Sequence, residues 1–419
     1  MGGTTWRPLL SGALAVQARE AVLAIAEALE NVPGDGPSLA DGAAGRALFF
    51  SYLETAFPRC GHEAHAERAL DDAVTALAEV PLGPDLYSGF SGVAFAAVHL
   101  RARAAPEDED ANEEVDAALL GFLDRSPWTG PFDLVSGLAG IGVYALERLP
   151  RPSGREMLGR IVSRLEEASE RQPAGVAWRT RPAHMSPERR VQFPEGQLDL
   201  GVAHGTPAVI AVLAGACGAG IAAETAHGLL ERALSWQWAC ERSAADAPEG
   251  SRFAYRVGEG IGDEPARAAW CYGDPGVAAT LHAAALAVGD RSGAARALAL
   301  GRAAAACSEA HSGVRDAGVC HGAAGLMHLF NRLWHASGDE ALADAARRWA
   351  AHTLAHRGEV GPAGFRAWGA PAGASEPSWR DDCSLLTGVA GIGLCLLAAM
   401  SSVEPSWDRF LLASLPGGA

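Results

Sequence analysis

The hydrophobic positions of this chain fall into two kinds of run that alternate along its length. One kind is apolar nearly all round and follows a Gly-x-x-Gly turn; the other spaces its apolar residues at three- and four-residue steps among polar and charged ones. A helix that is apolar all round belongs in an interior, and a helix with a one-sided stripe keeps its other face in water. Seven turns head runs of the first kind: Asp41-Gly-Ala-Ala-Gly45, Ser88-Gly-Phe-Ser-Gly92, Ser136-Gly-Leu-Ala-Gly140, His204-Gly-Thr-Pro-Ala208, Tyr272-Gly-Asp-Pro-Gly276, His321-Gly-Ala-Ala-Gly325 and Thr387-Gly-Val-Ala-Gly391. The fourth departs from the pattern at Ala208, with Thr206-Pro207 filling its turn. Runs of the second kind cover residues 64–80, 113–123, 155–170, 222–242, 292–310 and 339–356.

A repeat of this length is one helical hairpin with its turns, and stacked hairpins share a continuous core. The pattern therefore predicts an all-α protein, an α/α toroid of seven inner and seven outer helices forming a single domain over residues 1–419. Glycine, lacking a Cβ, lets the backbone crowd where each inner helix begins. The loops at that end converge on one central cavity, which the helix N-termini make electropositive. Three of the intervals are about 20 residues longer than one helical hairpin needs. Residues 175–199, rich in Pro, Arg and aromatic side chains, and residues 358–377, rich in Gly, Ala and Pro, are read as long loops or small β-ribbons over the cavity mouth. The first is a candidate peptide-binding element; the second is read equally well as an unstructured surface insertion.

Composition narrows the chemistry. All 34 basic residues of the 419 are arginine. Without lysine there is no Schiff base, no phosphate-loop ammonium and no serine/lysine nucleophile pair. A net charge of −16 excludes the basic stripe that nucleic-acid binding needs. Eight cysteines show no disulfide-framework spacing and residues 1–7 lack a signal-peptide layout, so the expectation is a reduced, cytoplasmic protein. The most apolar stretch, residues 208–223, is too short for a membrane span, so any membrane association would come through partners.

Candidate chemistry gathers at the glycine turns. Cys320 and His321 stand at the front of the sixth repeat, and Cys271 holds the matching place in the fifth. Neighbouring repeats of a toroid put equivalent positions side by side, which yields a Cys₂His set with a free fourth position, the layout of a catalytic zinc site. Two buried packing cysteines are the alternative. His204 precedes the glycine of the fourth repeat, Asp133 lies four residues before Gly137, and Arg267 lies one helical turn before Cys271. Histidine with a carboxylate partner is an acid–base unit of fixed tautomer, and arginine a permanent cation able to steady an oxyanion or hold His204 in one protonation state. Taken singly, such a histidine fits a core position and such an aspartate a helix cap. Two other groupings have ligand spacing on paper, Cys60 with His62 and His65, and His352 with His356; both fall in outer segments and are expected on solvated helix faces.

Together these residues resemble the lanthionine synthetase C-like family, the lanthipeptide cyclases. The resemblance runs from Asp41-Gly-Ala-Ala-Gly45 through Asp133, Leu200-Gly-Val-Ala-His-Gly205, Arg267-Ala-Ala-Trp-Cys-Tyr-Gly-Asp-Pro-Gly276 and Cys320-His-Gly-Ala-Ala-Gly325 to Thr387-Gly-Val-Ala-Gly391, and the Trp-Cys-Tyr-Gly and Cys-His-Gly pair is its most specific part. It implies a seven-fold α/α toroid with one Zn²⁺ per chain held by Cys271, Cys320 and His321, and an active site of His204, Asp133, Arg267 and Tyr272. It further implies addition of peptide cysteine thiolates to dehydroalanine or dehydrobutyrine of a dehydrated precursor peptide, forming (methyl)lanthionine rings. With no dehydratase region ahead of the toroid, it implies a stand-alone cyclase beside a separate dehydratase, with an exporter as a further candidate partner. Two other readings stay open: a related enzyme adding glutathione or another external thiol to dehydro residues, and a non-catalytic zinc-containing peptide-binding scaffold.

Overall fold

The computed structural model describes residues 6–30, 32, 36–104, 110–247, 250–258, 261, 264–370 and 376–416. In chain order, α1 (Gly12–Leu29) comes first, followed by hairpins of α2 (Ala43–Ala56) with α3 (Glu63–Ala76), α4 (Phe90–Ala104) with α5 (Glu113–Leu123), and α6 (Leu138–Glu147) with α7 (Pro152–Ala168). The short α8 (Pro187–Gln192) lies in the first insertion. Then come α9 (Thr206–Gly218) with α10 (Ala223–Ala239), α11 (Asp274–Ala287) with α12 (Arg291–Ala305), the short α13 (Glu309–Ser312), α14 (Ala323–Ser337) with α15 (Glu340–Ala355), and α16 (Val389–Met400). The helices that follow the glycine turns pack in a closed ring, α2 on α4, α6, α9, α11, α14, α16 and back to α2, with the amphipathic helices outside. This is the α/α toroid that the repeat predicts. The seventh outer helix is α1, which covers α16 and joins the two ends of the chain across the last gap of the ring.

Each layer obeys its sequence pattern. In α7 the buried side chains Met157, Leu158, Ile161, Val162 and Leu165 form one stripe, whereas α9 is buried almost throughout from Thr206 to Ala214. Pro207 sits in the first turn of α9, where a missing N–H is harmless, so the irregular fourth turn still starts its helix in register. Asp290 and Asp339 cap α12 and α15 by accepting main-chain N–H bonds.

Glycine turns four to seven, and then one and two, are knit to one another by main-chain bonds between neighbouring repeats. Counting back five residues from the last position of each turn gives Ala40, Tyr87, Val135, Ala203, Cys271, Cys320 and Leu386. The N–H of Ala40 donates to Tyr87, that of Ala203 to Cys271, that of Cys271 to Cys320 and that of Cys320 to Leu386, and Leu385 N–H donates to Ala40. The crowding depends on glycine: a Cβ on Gly276 or Gly325 would overlap the carbonyl oxygen of Trp270 or Val319, six residues earlier in its own turn.

Among the described residues the insertions contain three antiparallel two-stranded ribbons: β1 (Glu170–Gln172) with β2 (Gly175–Ala177), β3 (Leu198–Asp199) with β4 (Arg256–Val257), and β5 (Ala367–Gly369) with β6 (Ser378–Arg380). Residues 175–199 do not all lie over the mouth. β2 packs on outer helix α10, where Gly175 leaves no room for a Cβ beside the Arg232 carbonyl, and Trp178 donates its indole N–H to Leu165 of α7. From Thr180 onward the segment turns inward. Residues 371–375 of the second insertion lie outside the described residues; β5 and β6 flank them.

The end of the ring away from the glycine turns is sealed by the C-terminal segment, for which the hydrophobic pattern predicts nothing. A 3₁₀ helix, Ser406–Leu411, enters the ring, and Tyr87 and Trp270 donate side-chain hydrogen bonds to the carbonyls of Phe410 and Leu411. Its Asp408, fully buried, accepts from His328 at 2.8 Å and from Arg332 at 2.6 Å, while Arg409 pairs with Glu147. Among the described residues no helix is long and apolar enough to cross a membrane.

Burial by itself would raise the Asp408 pKa, but the Arg332 charge and the bonds from His328 and Arg332 reverse this and hold it well below the ordinary carboxylate range. The stability it contributes is complete above its unfolded value and disappears as pH falls through the lowered folded value. Asp408→Asn strands a buried cation and is expected to lower unfolding free energy by about 3–5 kcal/mol. The urea midpoint at neutral pH measures this, and an unchanged midpoint would refute the role given to the C-terminal segment.

Candidate active site

The register of the toroid decides which side chains meet. One residue after the positions that form the main-chain belt, the seven turns carry Asp41, Ser88, Ser136, His204, Tyr272, His321 and Thr387. Cys271 and Cys320 thus occupy the same belt position in adjacent repeats, and His204, Tyr272 and His321 occupy the next position in three adjacent repeats. All lie immediately before an inner helix, where the partial positive charge of its N-terminus favours anions.

The sulfurs of Cys271 and Cys320 and a ring nitrogen of His321 come within 4.8 Å of one another. Among the described residues this is the one group of three or more His, Cys, Asp or Glu side chains able to hold a metal ion. The two thiols share a hydrogen bond that pulls the Cys271 pKa well down and pushes that of Cys320 well up. Two thiolates in contact cannot both form unless a cation lies between them. A divalent ion of borderline softness resolves that conflict, and two sulfurs with one imidazole are the donors zinc prefers.

Arg267 stands on the thiol side. Its positive charge favours the thiolate of both cysteines, and its Nε is buried without a hydrogen-bond partner. Its carbonyl is so close to Gly273, at φ +93°, that no Cβ would fit there.

Beside the cysteines, a pocket of about 150 Å³ is lined by Asp133, Ser136, Thr180, Arg189, Asp199, His204 and Tyr272 among others. His204 Nδ1 lies 2.8 Å from Asp133 Oδ2, while Asp133 Oδ1 accepts the Ser136 N–H at 2.6 Å. Asp133 is therefore both the turn cap and the partner of a histidine 71 residues away. Burial opposes protonation of His204, but the Asp133 bond and charge, followed by Asp199 and Cys271, outweigh it and raise its pKa above the ordinary imidazole value. With Nδ1 engaged, Nε2 is left for other partners.

The ring of Tyr272 lies 6.4 Å from that of His204, and its hydroxyl donates to Asp199 at 2.9 Å. Asp199 is absent from the sequence-derived set. Its position before the Leu200-Gly-Val-Ala-His204 run was the available signal, but an aspartate in a loop has many ordinary uses.

The two outer groupings lie on half-exposed outer segments, as expected, with their imidazoles partly packed. His62 and His65 stack on Phe50, while Cys60 is exposed; His352 meets Glu309 at 3.2 Å and the ring of His356 edge to face. The apolar flanks of those helices give imidazole rings a surface to cover.

Comparison with known proteins gives a consistent result. The sequence model of the lanthionine synthetase C-like protein family matches residues 34–412. Among solved structures, nisin cyclase superposes with a TM-score of 0.68 at 19% sequence identity, over 95% of this chain and 97% of that one, which shows a common fold. No curated protein matches the sequence. With nearly the whole toroid covered by the family's own pattern, the chain belongs to the lanthionine synthetase C-like family.

Proposed function

We propose that this protein is a zinc-dependent lanthipeptide cyclase that adds peptide cysteine thiols to dehydroalanine or dehydrobutyrine residues of the same precursor peptide. One observation carries the reading: a Cys₂His group sits at the mouth of the toroid next to a pocket that presents a histidine fixed by an aspartate. The name of its structural neighbour, nisin cyclase, points the same way. A peptide-binding scaffold would have no use for the His204–Asp133 pair.

Zinc bound by Cys271, Cys320 and His321 would supply a Lewis acid that keeps an incoming peptide cysteine as its thiolate near neutral pH. His204 moves the proton. The cysteine gives up one proton before sulfur bonds to the β-carbon, and Cα then needs one, so His204 Nε2 can take the thiol proton and deliver it to Cα with no atom gained or lost overall. Asp133 holds the imidazole in the orientation that leaves Nε2 facing the pocket and favours its protonated form. Arg267, which cannot be neutralised near pH 7, offsets negative charge on the thiol side. Tyr272 lines the pocket and positions the peptide there. Thr180, Arg189 and the rest of residues 180–199 form the wall the peptide passes. The dehydro residues must come from a separate reaction that removes water from serine and threonine.

Ring closure leaves mass unchanged, so alkylation of remaining thiols followed by mass measurement reads the product. Cys320→Ala is expected to lose zinc and cyclisation together, whereas His204→Gln keeps zinc and loses about 10²-fold or more in kcat. Full metal content in the Cys320→Ala protein would overturn the ligand assignment.

The raised His204 pKa keeps its acid form present to higher pH than in a free imidazole, and that form is lost as pH rises through the raised value. Asp133→Asn removes the main raising influence, so the alkaline limb of the kcat profile should move to lower pH. A limb that stays in place would show that another group carries the proton.

A further inference from the structure

Nine residues before the end of their turns, the fourth to seventh repeats carry Asp199, Arg267, Asp316 and Asp382. Asp316 and Asp382 do one thing in common. Oδ1 of each accepts the N–H two residues on, Gly318 at 3.0 Å and Ser384 at 2.9 Å, which staples its own turn. Asp199 is free of that task. Tyr272 hydroxyl donates to its Oδ1 at 2.9 Å, Thr180 hydroxyl to Oδ2 at 3.0 Å, and Gln197 Nε2 reaches the two oxygens at 2.9 and 2.8 Å.

This carboxyl group is fully buried, and Arg256, paired with it across the β3–β4 ribbon, comes no closer than 4.0 Å. A carboxylate placed inside a protein on neutral donors costs stability that an amide or an apolar side chain would not. Its donors also come from separate parts of the chain: Thr180 and Gln197 belong to the first insertion, and Tyr272 to the turn of the fifth repeat. Asp199 therefore ties the insertion to the one pocket-lining phenol.

The direction of the Tyr272 bond matters. A phenol has one proton, and here it is given to Asp199. What remains toward the pocket is the lone-pair side of the oxygen. We propose that Asp199 is a positioning residue that turns Tyr272 into a hydrogen-bond acceptor, so that the substrate group it meets is a donor, a peptide amide N–H, rather than a carbonyl or enolate oxygen. Under the cyclase reading, on which the identity of the substrate rests, oxygen-side stabilisation then falls to the helix N-termini that face the pocket, and Tyr272 aligns the backbone of the dehydro residue.

Two measurements test this, one of them independent of activity. The chain has five tyrosines, so labelling them with ¹³C at the phenol carbon gives few signals, and Tyr272→Phe identifies the one of interest. Asp199→Asn should shift that signal and leave those of Tyr52, Tyr87 and Tyr144 in place; an unmoved Tyr272 signal overturns the proposal.

The second measurement uses a synthetic peptide containing one cysteine and one dehydroalanine, with ring closure followed by thiol alkylation above the uncatalysed rate. Asp199→Asn, with zinc retained, should lower kcat/KM about tenfold or more, yet less than about twofold in a Tyr272→Phe background. Losses that multiply in the double variant would mean that Asp199 acts on the fold rather than through Tyr272, and would overturn the proposal. If the wild-type protein gives no acceleration while the Tyr272 signal still shifts, the cyclase reading fails and the Asp199–Tyr272 bond stands.

Discussion

The belt of main-chain hydrogen bonds that runs from the fourth glycine turn to the seventh and on through the first to the second is the constraint on which the rest of this molecule depends. It forms only if neighbouring turns approach closely, and glycine permits this: a Cβ on Gly92 or Gly391 would crowd Leu39 or Val319 of the preceding turn. Once the belt is in place, the position of each residue within its turn becomes a position on a circle. Cys271 and Cys320 then touch because their main chains are bonded to each other, N–H to C=O, at the same step of adjacent turns. The first layer of the site is a by-product of ring closure.

The two ends of the ring are built differently. At one end the turns leave a small pocket between inner helices and insertion. At the other, residues 406–411 fill the centre, and the ionic groups there are buried against partners: Asp408 on Arg332 and His328, Glu147 on Arg409 and His99. Tyr87 and Trp270 bridge the halves, each anchored in the belt region and bonded to the C-terminal segment below. Trp270 immediately precedes Cys271, so the packing of the C-terminal segment bears directly on the position of one thiol of the Cys₂His group.

Charge in the pocket is arranged without lysine. Two thiols compete for one negative charge, Arg267 favours both as thiolates, and two aspartates flank the ring nitrogen and the phenol that face the cavity. Each aspartate is bonded to one pocket side chain of the following repeat, Asp133 to His204 and Asp199 to Tyr272. A side chain held in this way keeps one hydrogen-bonding direction for the protein and leaves the other toward the pocket.

What the sequence determined by itself was everything set by short-range pattern: the inner and outer helices, the glycine turns, and the equivalence of Cys271 with Cys320-His321. Helical period, turn chemistry and repeat register are local properties, and a closed ring converts register into contact. The role of Tyr272 was not local, and only the family resemblance pointed to it. Helix α1 escaped the repeat count because it precedes the first glycine turn, yet ring closure makes it the seventh outer helix. The C-terminal segment carries no periodic pattern, so nothing in residues 401–416 announced that they plug the ring. Asp133 was named beside His204 from its place in the repeat and from the family resemblance, whereas Asp199 looked like an ordinary loop aspartate. Tertiary structure alone decided that Asp199 meets Tyr272, because that partner is brought in by the packing of whole repeats, which no window of sequence contains.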